Sequence, residues 1–344
     1  MNYVGVDLHK EQSWFVVLDS KGKRLVSKSI ANSPEGLKQY FSKIPNPFTL
    51  AVESTYNWYF FVDLAEQYAE KVYLANSYEL KAFAKRHKKT DKIDAHLIAE
   101  VLRKGYLPTV TIPDQETRRV KELLRYRMNL VRERAKNIYQ VKNILDKIGQ
   151  DSSGDFTTYK RLGTIPFDLF SPNYREVIKG YSERIEFLTR RLFQIEKYIK
   201  ENVKDDQDII NLITIPGIDY FSASLIKTEI IDISRFASFN RLCAYAGLAP
   251  RVSQSANKEV HGPLNVNRRK NLQWILIEVV YHFIKALPEK SQRYESIVNR
   301  KGVNTAKVAM AREMLKIIYH VLKEQRPFYH HTVRSEVSPA LYGV

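Results

Sequence analysis

The chain of 344 residues contains only one cysteine, Cys243. A single cysteine excludes an internal disulfide and a zinc site built from cysteine ligands. Cys243 lies in the apolar stretch Leu242-Cys243-Ala244-Tyr245, so we expect its side chain to be packed in a core.

Long apolar runs are also absent. No stretch reaches the roughly 18 apolar residues that a membrane span requires. Asp7 and His9 interrupt the first apolar run, which argues against a signal peptide. The sequence therefore predicts a soluble, cytoplasmic protein with no membrane partner.

Acidic residues are too few to balance the basic ones. The chain has 55 Lys and Arg against 38 Asp and Glu, a net charge of +17. Such a charge favours a polyanionic partner, because phosphates neutralised by Lys and Arg release their counterions. A basic protein without such a partner is the alternative, but the clustering of the charge favours nucleic acid and a nucleoid-associated protein. The densest run predicts these contacts: Lys85, Arg86, Lys88 and Lys89.

Four carboxylates stand at positions where chemistry is expected. Asp7 lies in the apolar run Val4-Gly5-Val6-Asp7-Leu8, Glu53 ends the apolar run 48–52, and Asp91 and Asp94 follow the basic run. A carboxylate among apolar strand residues is costly to desolvate unless a cation or hydrogen bonds compensate it. On a basic chain, four such oxygen donors predict a site for one or two Mg²⁺ ions acting on phosphates. The alternatives are a strand-end turn for Asp7 and a solvated helix start for Asp91 and Asp94.

The order of elements in the first third predicts an RNase H-like α/β domain. Period-two runs and turn signals predict three strands, a helix, a strand, a helix, a strand and a helix. Their approximate spans are 3–8, 14–18, 23–30, from Pro34, 48–52, 58–68, 72–75 and 80–102. In that architecture the carboxylates of the first and fourth strands and of the last helix meet at one edge of the sheet.

Heptad spacing dominates the middle of the chain. Apolar residues recur every seven residues from Leu124 to Leu145, and at alternating spacings of four and three from Tyr174 to Ile199. This pattern predicts two antiparallel helices in a coiled-coil arm that serves as a spacer or a dimer contact.

The last third predicts a compact helical unit. Ile213-Thr214-Ile215-Pro216-Gly217-Ile218 before the apolar segment 222–230 is typical of a helix-hairpin-helix, whose turn offers backbone N–H groups to a phosphate. Further helices are predicted at 272–284 and 305–322. The predicted units are 1–110, 111–207 and 208–330, followed by a loosely ordered tail at 331–344.

A polar loop is predicted between Tyr245 and Lys258. Basic residues surround its serines: Arg251, Lys258, Arg268, Arg269 and Lys270. A serine among basic side chains can attack or hold a phosphate if a base or a metal activates it, although a surface serine is usually inert.

These motifs resemble those of the DEDD-type insertion-sequence transposases of the IS110 family, which includes bridge-RNA-guided recombinases and pilin-gene invertases. In the first half the resemblance is carried by Val4-Gly5-Val6-Asp7-Leu8-His9-Lys10, Glu53 and Thr90-Asp91-Lys92-Ile93-Asp94-Ala95. In the second half it is carried by Ile215-Pro216-Gly217-Ile218, Glu229-Ile230, Ile233-Ser234-Arg235-Phe236 and Tyr245-Ala246-Gly247-Leu248-Ala249-Pro250-Arg251.

The resemblance implies a RuvC-like domain that binds Mg²⁺ through Asp7, Glu53, Asp91 and Asp94. It also implies a helical transposase domain whose serine, Ser255 here, forms a phosphoserine link to DNA. The family usually has glycine after this serine, whereas Ala256 follows here, so Ser253 stays a second candidate. The implied partners are donor and target DNA, a bridge RNA and further copies of the chain, as a dimer or tetramer that shares its active sites.

The sequence thus predicts a Mg²⁺-dependent DNA transposase or recombinase. One alternative is a Holliday-junction resolvase-like nuclease of the same fold, in which water attacks. The other is a non-catalytic nucleic-acid-binding scaffold, which would tolerate alanine at Asp7 or Glu53.

Overall fold

The computed structural model describes residues 1–83, 90–154, 156, 165, 170–255, 258–264 and 268–329, with only the backbone described between 250 and 264. Within it the chain forms two compact units, Met1–Pro113 and Asp114–Val344. The expected tail at 331–344 lies outside the described residues.

The first unit is built on a six-stranded mixed sheet of order β3-β2-β1-β4-β5-β6. Its strands are β1 (Asn2–Leu8), β2 (Gln12–Leu18), β3 (Arg24–Ala31), β4 (Phe48–Glu53), β5 (Lys71–Ala75) and β6 (Thr109–Val110). Its helices are α1 (Pro34–Phe41), α2 (Trp58–Ala65), α3 (Ser77–Leu80) and α4 (Asp91–Arg103). β1 is antiparallel to β2 and parallel to β4, which is parallel to β5. The predicted order of strands and helices is therefore present, in an α/β unit.

Alternation along β1 divides the core between the two faces of the sheet. Val4, Val6 and Leu8 pack with apolar residues of α1 and α2 on one face. On the other face, Gly5 lies against α4, where an added Cβ would be 2.1 Å from the carbonyl oxygen of Ala95. Glycine at this position lets α4 lie directly on β1.

The predicted helix at 80–102 is wrong in its extent. α3 ends at Leu80, and α4 begins only at Asp91, after the N-cap Thr90 accepts a hydrogen bond from the backbone N–H of Ile93 at 3.4 Å. The threonine cap and the two aspartates of the first turn favour a helix start here. The basic run at 85–89 lies outside the described residues.

Two long helices, α5 (Gln115–Lys147) and α6 (Pro172–Val203), open the second unit and pack against each other as a helix pair. Arg127 bonds Glu196, and seven residues later Arg134 bonds Thr189, so the helices run antiparallel as predicted. The apolar seam of α6 is buried at Ile178, Ile185, Leu188, Leu192, Ile195 and Ile199.

The helix pair shares its core with the C-terminal helices. Leu124 of α5 and Leu192 of α6 belong to one apolar cluster with the helices that follow. These are α7 (Gln207–Leu212), α8 (Tyr220–Ile230), α9 (Phe239–Tyr245), α10 (Lys270–Ala286), α11 (Pro288–Lys301) and α12 (Val303–Glu324). Cys243 of α9 is buried in this core, as expected. The sequence reading missed α11, because no residue of that helix is buried.

The Pro-Gly turn joins α7 to α8 in a helix-turn-helix arrangement. Gly217 has a φ of +88°, and an added Cβ would lie 2.9 Å from the carbonyl oxygen of Val279 and from Cβ of His282. Only glycine fits both this backbone conformation and the close contact with α10.

The polar loop predicted between Tyr245 and Lys258 is wrong. Half of it belongs to a β-hairpin of β7 (Pro250–Ser255) and β8 (Lys258–Leu264), which we call the serine hairpin. Val252 and Val260 supply β-branched residues that favour paired strands, and Ser255 pairs with Lys258. The abundance of small polar residues hid this pattern.

None of the helices in the described part of the chain is long and apolar enough to cross a membrane.

Candidate active site

Asp7, His9 and Asp91 form a cluster at the end of β1. Nε2 of His9 lies 3.2 Å from Oδ2 of Asp7 and 3.5 Å from Oδ1 of Asp91. One ligand atom from each residue lies within 4.8 Å of the other two, close enough to hold a single cation. Asp7 is buried, whereas His9 and Asp91 are exposed, so the cluster opens to solvent on one side.

Two asparagines fix the chain at His9. The side-chain amides of Asn32 and Asn57 donate hydrogen bonds to the His9 carbonyl oxygen, at 2.6 and 2.8 Å. Asn32 follows β3 and Asn57 precedes α2. Two residues from other segments of the unit therefore hold the turn after β1. His9 is thereby positioned beside Asp7 rather than left on a free loop.

The position of Asp91 follows from the contact between α4 and β1. Gly5 meets Ala95, and Asp91 lies one turn before Ala95 on the same face of α4. Asp7 lies two residues after Gly5 on the same face of β1. Because the helix runs opposite to the strand, its first turn lies beside the end of the strand, and the two carboxylates meet.

Glu53 lies at the same edge of the sheet. Val52 of β4 pairs with Val6 of β1 in parallel register, so Glu53 and Asp7 follow on the same face of neighbouring strands. This is the α4 face, because Ala51 packs with Ile98 of α4. Glu53 is half-buried, but it is not a member of the three-residue cluster.

Asp94 is also outside that cluster, although it lies in the same first turn of α4 as Asp91. Its charge still acts on Asp7, whose pKa it raises. The described structure therefore brings Asp7 and Asp91 within ligand distance of each other, and holds Glu53 and Asp94 on the surrounding elements. His9, which stands in the first motif, is the member that sequence reasoning missed; its position two residues after Asp7 was the available signal.

The electrostatics of Asp7 suit a cation. Burial, with the charges of Asp91 and Asp94, raises the pKa of Asp7 to about 6, and His9 partly opposes this rise. Apart from His9, no described residue that acts on this buried carboxylate compensates its charge. A divalent ion bound by oxygen ligands would supply that charge, so the residues present fit a metal.

The serine hairpin carries the second set of predicted residues. Ser255 ends β7, Ser253 pairs with Val260, and Arg251 and Lys258 lie on the two strands. Ser253 and Ser255 are two residues apart on one strand, so they share a face of the hairpin.

The chain returns from this hairpin through Arg268, Arg269 and Lys270 into α10. Arg268 lies across Gly247, which has a φ of +72° and where an added Cβ would be 2.4 Å from Cδ of Arg268. Nε of Arg268 donates to the side chain of Gln273 at 2.6 Å, and Gln273 donates to the carbonyl oxygen of Gly247 at 2.7 Å. Gly247 before the hairpin and Arg268 after it are thus both anchored to Gln273, at the start of α10.

Arg269 belongs to a partly buried polar network that sequence reasoning missed. Its Nε donates to the Tyr245 hydroxyl at 2.8 Å, and that hydroxyl donates to the backbone oxygen of Glu229 at 3.0 Å. The Glu229 carboxylate accepts from Asn271 at 3.3 Å and lies 3.9 Å from Nζ of Lys121. Both charged partners are buried, and desolvation lowers the pKa of Lys121. Glu229 and Tyr245 stood in the quoted motifs, but nothing local linked them to Lys121.

Comparisons with known proteins give matches over both the acidic cluster of the first unit and the serine hairpin of the second. A DEDD transposase family model described as "Transposase" matches residues 4–150, and a model described as "Transposase IS116/IS110/IS902 family" matches residues 210–295. The transposase for insertion sequence element IS1328 of Yersinia enterocolitica is 27% identical over 94% of this chain and 98% of its own length. The transposase for IS1111A of Coxiella burnetii is 27% identical over 74% of this chain and 72% of its own length.

A shorter match extends the comparison to another kind of protein. The pilin gene-inverting protein of Moraxella bovis is 29% identical over 34% of this chain and 37% of its own length. The two family models lie in order along the sequence and together cover more than half of it. The chain therefore belongs to the IS110 family of transposases.

Proposed function

We propose that this protein is a Mg²⁺-dependent transposase-recombinase that cuts and rejoins DNA through a phosphoserine intermediate at Ser255. The observation that carries the proposal is the meeting of Asp7 and Asp91 at one edge of the sheet, on a chain that belongs to a transposase family. The relatives named as insertion-sequence transposases and as a pilin gene-inverting protein support DNA as the substrate.

The metal ligands in this proposal are Asp7, Glu53, Asp91 and Asp94. Asp7 and Asp91 already lie within ligand distance of each other, Glu53 shares their sheet edge, and Asp94 shares the first turn of α4. When bound, Mg²⁺ at this site polarises the scissile phosphate and eases ionisation of an attacking hydroxyl. The basic residues of the chain would orient the phosphate and screen its charge.

The covalent step is an exchange of phosphoester bonds. The Ser255 hydroxyl oxygen forms a bond to the scissile phosphorus, and the bond from that phosphorus to the 3′ oxygen breaks. The serine proton passes to solvent, and the departing 3′ oxygen takes up a proton. Attack by the 3′ hydroxyl of another strand reverses the step, joins the new strand and releases the serine. Arg251, Lys258, Arg268, Arg269 and Lys270 would neutralise the phosphate during both steps.

The partners proposed are donor and target DNA, a bridge RNA and further copies of the chain. In a dimer or tetramer, acidic residues of one subunit would complete a site with the serine of another. The basic run Lys85, Arg86, Lys88 and Lys89 adds phosphate contacts to the same assembly.

Trapping of a covalent adduct tests the proposal. The full chain is incubated with Mg²⁺, with the transcript that adjoins its gene, and with DNA carrying the element's termini, labelled on the 3′ side of the cleavage site. A denaturing gel should show labelled DNA attached to the wild-type protein. Ser255→Ala should bind DNA and RNA normally but give no adduct, and Asp7→Asn should lose both the adduct and the bound metal.

The control variant is Ser253→Ala, which shares the hairpin face with Ser255 and should still give the adduct. If Ser255→Ala traps DNA and Ser253→Ala does not, Ser253 is the nucleophile. Nicked DNA without an adduct would instead favour the resolvase-like mechanism with water. Binding of DNA and RNA with neither an adduct nor a nick, in wild type and Asp7→Asn alike, would favour the non-catalytic scaffold.

A further inference from the structure

A groove between α10 and α12 lies beside the base of the serine hairpin. Its described lining has two stripes at helical spacing: Lys270, Trp274 and Ile277 on α10, and Asn304, Lys307 and Val308 on α12. The groove has a volume of about 450 Å³, within the usual range of small-molecule and nucleotide sites.

The floor and the rim of this Trp274 groove differ in chemistry. Ile277 and Val308 are half-buried and pack onto the core of the unit, so the floor is apolar. Trp274 stays 40% exposed, although it is a large aromatic side chain that packing would normally cover. The groove thus presents a partly exposed indole beside an apolar floor.

The rim is basic. Among its described lining residues, Arg268, Lys270 and Lys307 are cationic and none is acidic. Arg268 is held in place by Gly247 and Gln273, so its charge is fixed at the wall instead of moving with a free side chain. An aromatic side chain with cations beside it matches a nucleotide, which has a flat base and a phosphate.

The starts of both helices add to this match. α10 begins at Lys270 and α12 at Val303, and neither has a side-chain cap for its first backbone N–H groups. Uncapped first turns favour an anion nearby.

We propose that the Trp274 groove binds an unpaired nucleotide of the DNA strand that is being exchanged, with its base stacked on Trp274 and its phosphate near Lys270 and Lys307. This inference rests on the proposed function, because strand exchange requires unpaired DNA close to the serine. The hairpin begins at Pro250, three residues after Gly247, and ends at Leu264, four residues before Arg268. Ser255 lies at most roughly 17 Å along β7 from Pro250, at the usual rise of a strand.

Fluorescence anisotropy with a labelled single-stranded oligothymidylate of 20 nucleotides tests the groove in the full chain. Trp274→Ala should raise Kd about tenfold, the order of effect seen for the loss of one stacked base. Trp274→Phe keeps a stacking ring and should restore most of the affinity. Lys270→Gln with Lys307→Gln should flatten the dependence of affinity on salt.

The matched control is Tyr281→Ala, which removes a 56% exposed aromatic from the same helix outside the groove. It should leave Kd unchanged, and circular dichroism melting should show all variants folded. An equal Kd for Trp274→Ala and Tyr281→Ala would overturn the proposal. A loss of affinity for oligouridylate alone would also overturn it and would assign the groove to RNA. A change only in the sedimentation coefficient would overturn it too and would assign the groove to a contact between copies.

The adduct assay distinguishes failure of the groove inference from failure of the proposed function. If Trp274→Ala weakens binding of oligothymidylate but wild type forms no adduct through Ser255 or Ser253, the groove stands and the proposed function fails. If wild type forms the adduct but Trp274→Ala binds oligothymidylate normally, the proposed function stands and the groove inference fails.

Discussion

At the scale of single residues, Asp7 shows how one side chain is held in an environment that disfavours its charge. It is buried at the end of a central strand, with Asp91 and Asp94 nearby, and its pKa is raised to about 6. The only described partner that opposes the rise is His9, which lies between Asp7 and Asp91. This arrangement disfavours the ionised carboxylate of Asp7 in the metal-free protein, and a bound cation would stabilise it.

We expect the free energy of unfolding to fall as pH rises from about 4 to 6 in the absence of divalent ions. In this window folded Asp7 keeps a proton that the unfolded chain, with an ordinary pKa of 3.8, has already released. The folded state therefore binds more protons, and the loss across the full window is at most about 3 kcal/mol, since solvent on the open side of the cluster screens the charge. Asp7→Asn should lack this component, as urea denaturation at pH 4, 5, 6 and 7 would measure.

Mg²⁺ should reverse the trend for wild type above pH 6, because binding requires the ionised carboxylate. A pH slope that is the same in wild type and Asp7→Asn would contradict the assignment of the effect to Asp7.

At the scale of elements, the contact between β1 and α4 builds the acidic edge. Gly5 is the residue that permits it, since the carbonyl oxygen of Ala95 and the amide nitrogen of Ala99 occupy the space of a side chain. The spacing from Gly5 to Asp7 on the strand matches the spacing from Ala95 to Asp91 on the helix. The close packing and the carboxylate pair therefore depend on the same glycine.

Gly5→Ala should push α4 away from β1 and separate Asp91 from Asp7. We expect destabilisation of about 1–3 kcal/mol from overpacking, together with weaker Mg²⁺ binding by isothermal titration calorimetry. Gly180→Ala is the control, because this helical glycine has no atom within 4 Å of an added Cβ and alanine favours a helix. Normal Mg²⁺ affinity in a folded Gly5→Ala protein would show that the contact does not position the carboxylates.

Sequence reasoning identified elements whose signal is local and periodic. The strands, the Ser33 cap of α1 and the apolar seam of α6 are all present near their predicted positions, because period and capping are written in neighbouring residues. α11 was missed because it buries nothing, and the serine hairpin was mistaken for a loop because its strands contain small polar residues. Neither element has the local apolar periodicity from which the other elements were predicted.

The candidate site shows the same limit. Asp7 and Asp91 could be paired from the expected order of strands and helices, but His9 was noticed only as part of a motif. The Lys121–Glu229 pair joins residues 108 positions apart on α5 and α8, and neither has a local pattern that points to the other. Such contacts depend on helix packing in three dimensions, which heptad spacing alone does not specify.

At the scale of the whole molecule, the helix pair has two different surfaces. Leu188 and Leu192 are buried within the chain, whereas Phe187 and Phe193 are 60% and 72% exposed. Charge at the buried seam would therefore disrupt folding before it reported on assembly. The exposed aromatics are the better positions for testing contact between copies.

We expect Leu188→Glu to lower the melting temperature strongly, because an unpaired charge would enter an apolar core. Phe187→Glu, one residue away on the exposed side, should leave the melting temperature nearly unchanged. If copies join through the outer face of the helix pair, Phe187→Glu should also reduce the sedimentation coefficient and the yield of recombined DNA. An unchanged oligomer with full activity would exclude Phe187 from such a contact.

The burial of Cys243 has a practical consequence for following the molecule at work. Its side chain is shielded, and burial raises the pKa of the thiol, so little reactive thiolate is present in the folded protein. Because it is the only cysteine, a new cysteine at an exposed position reacts with a maleimide dye against almost no background. Lys104 in the first unit and Lys204 in the second are exposed and suit such replacement. A donor and an acceptor dye at these two positions would report, by energy transfer in single molecules, the distance between the labelled residues with and without DNA.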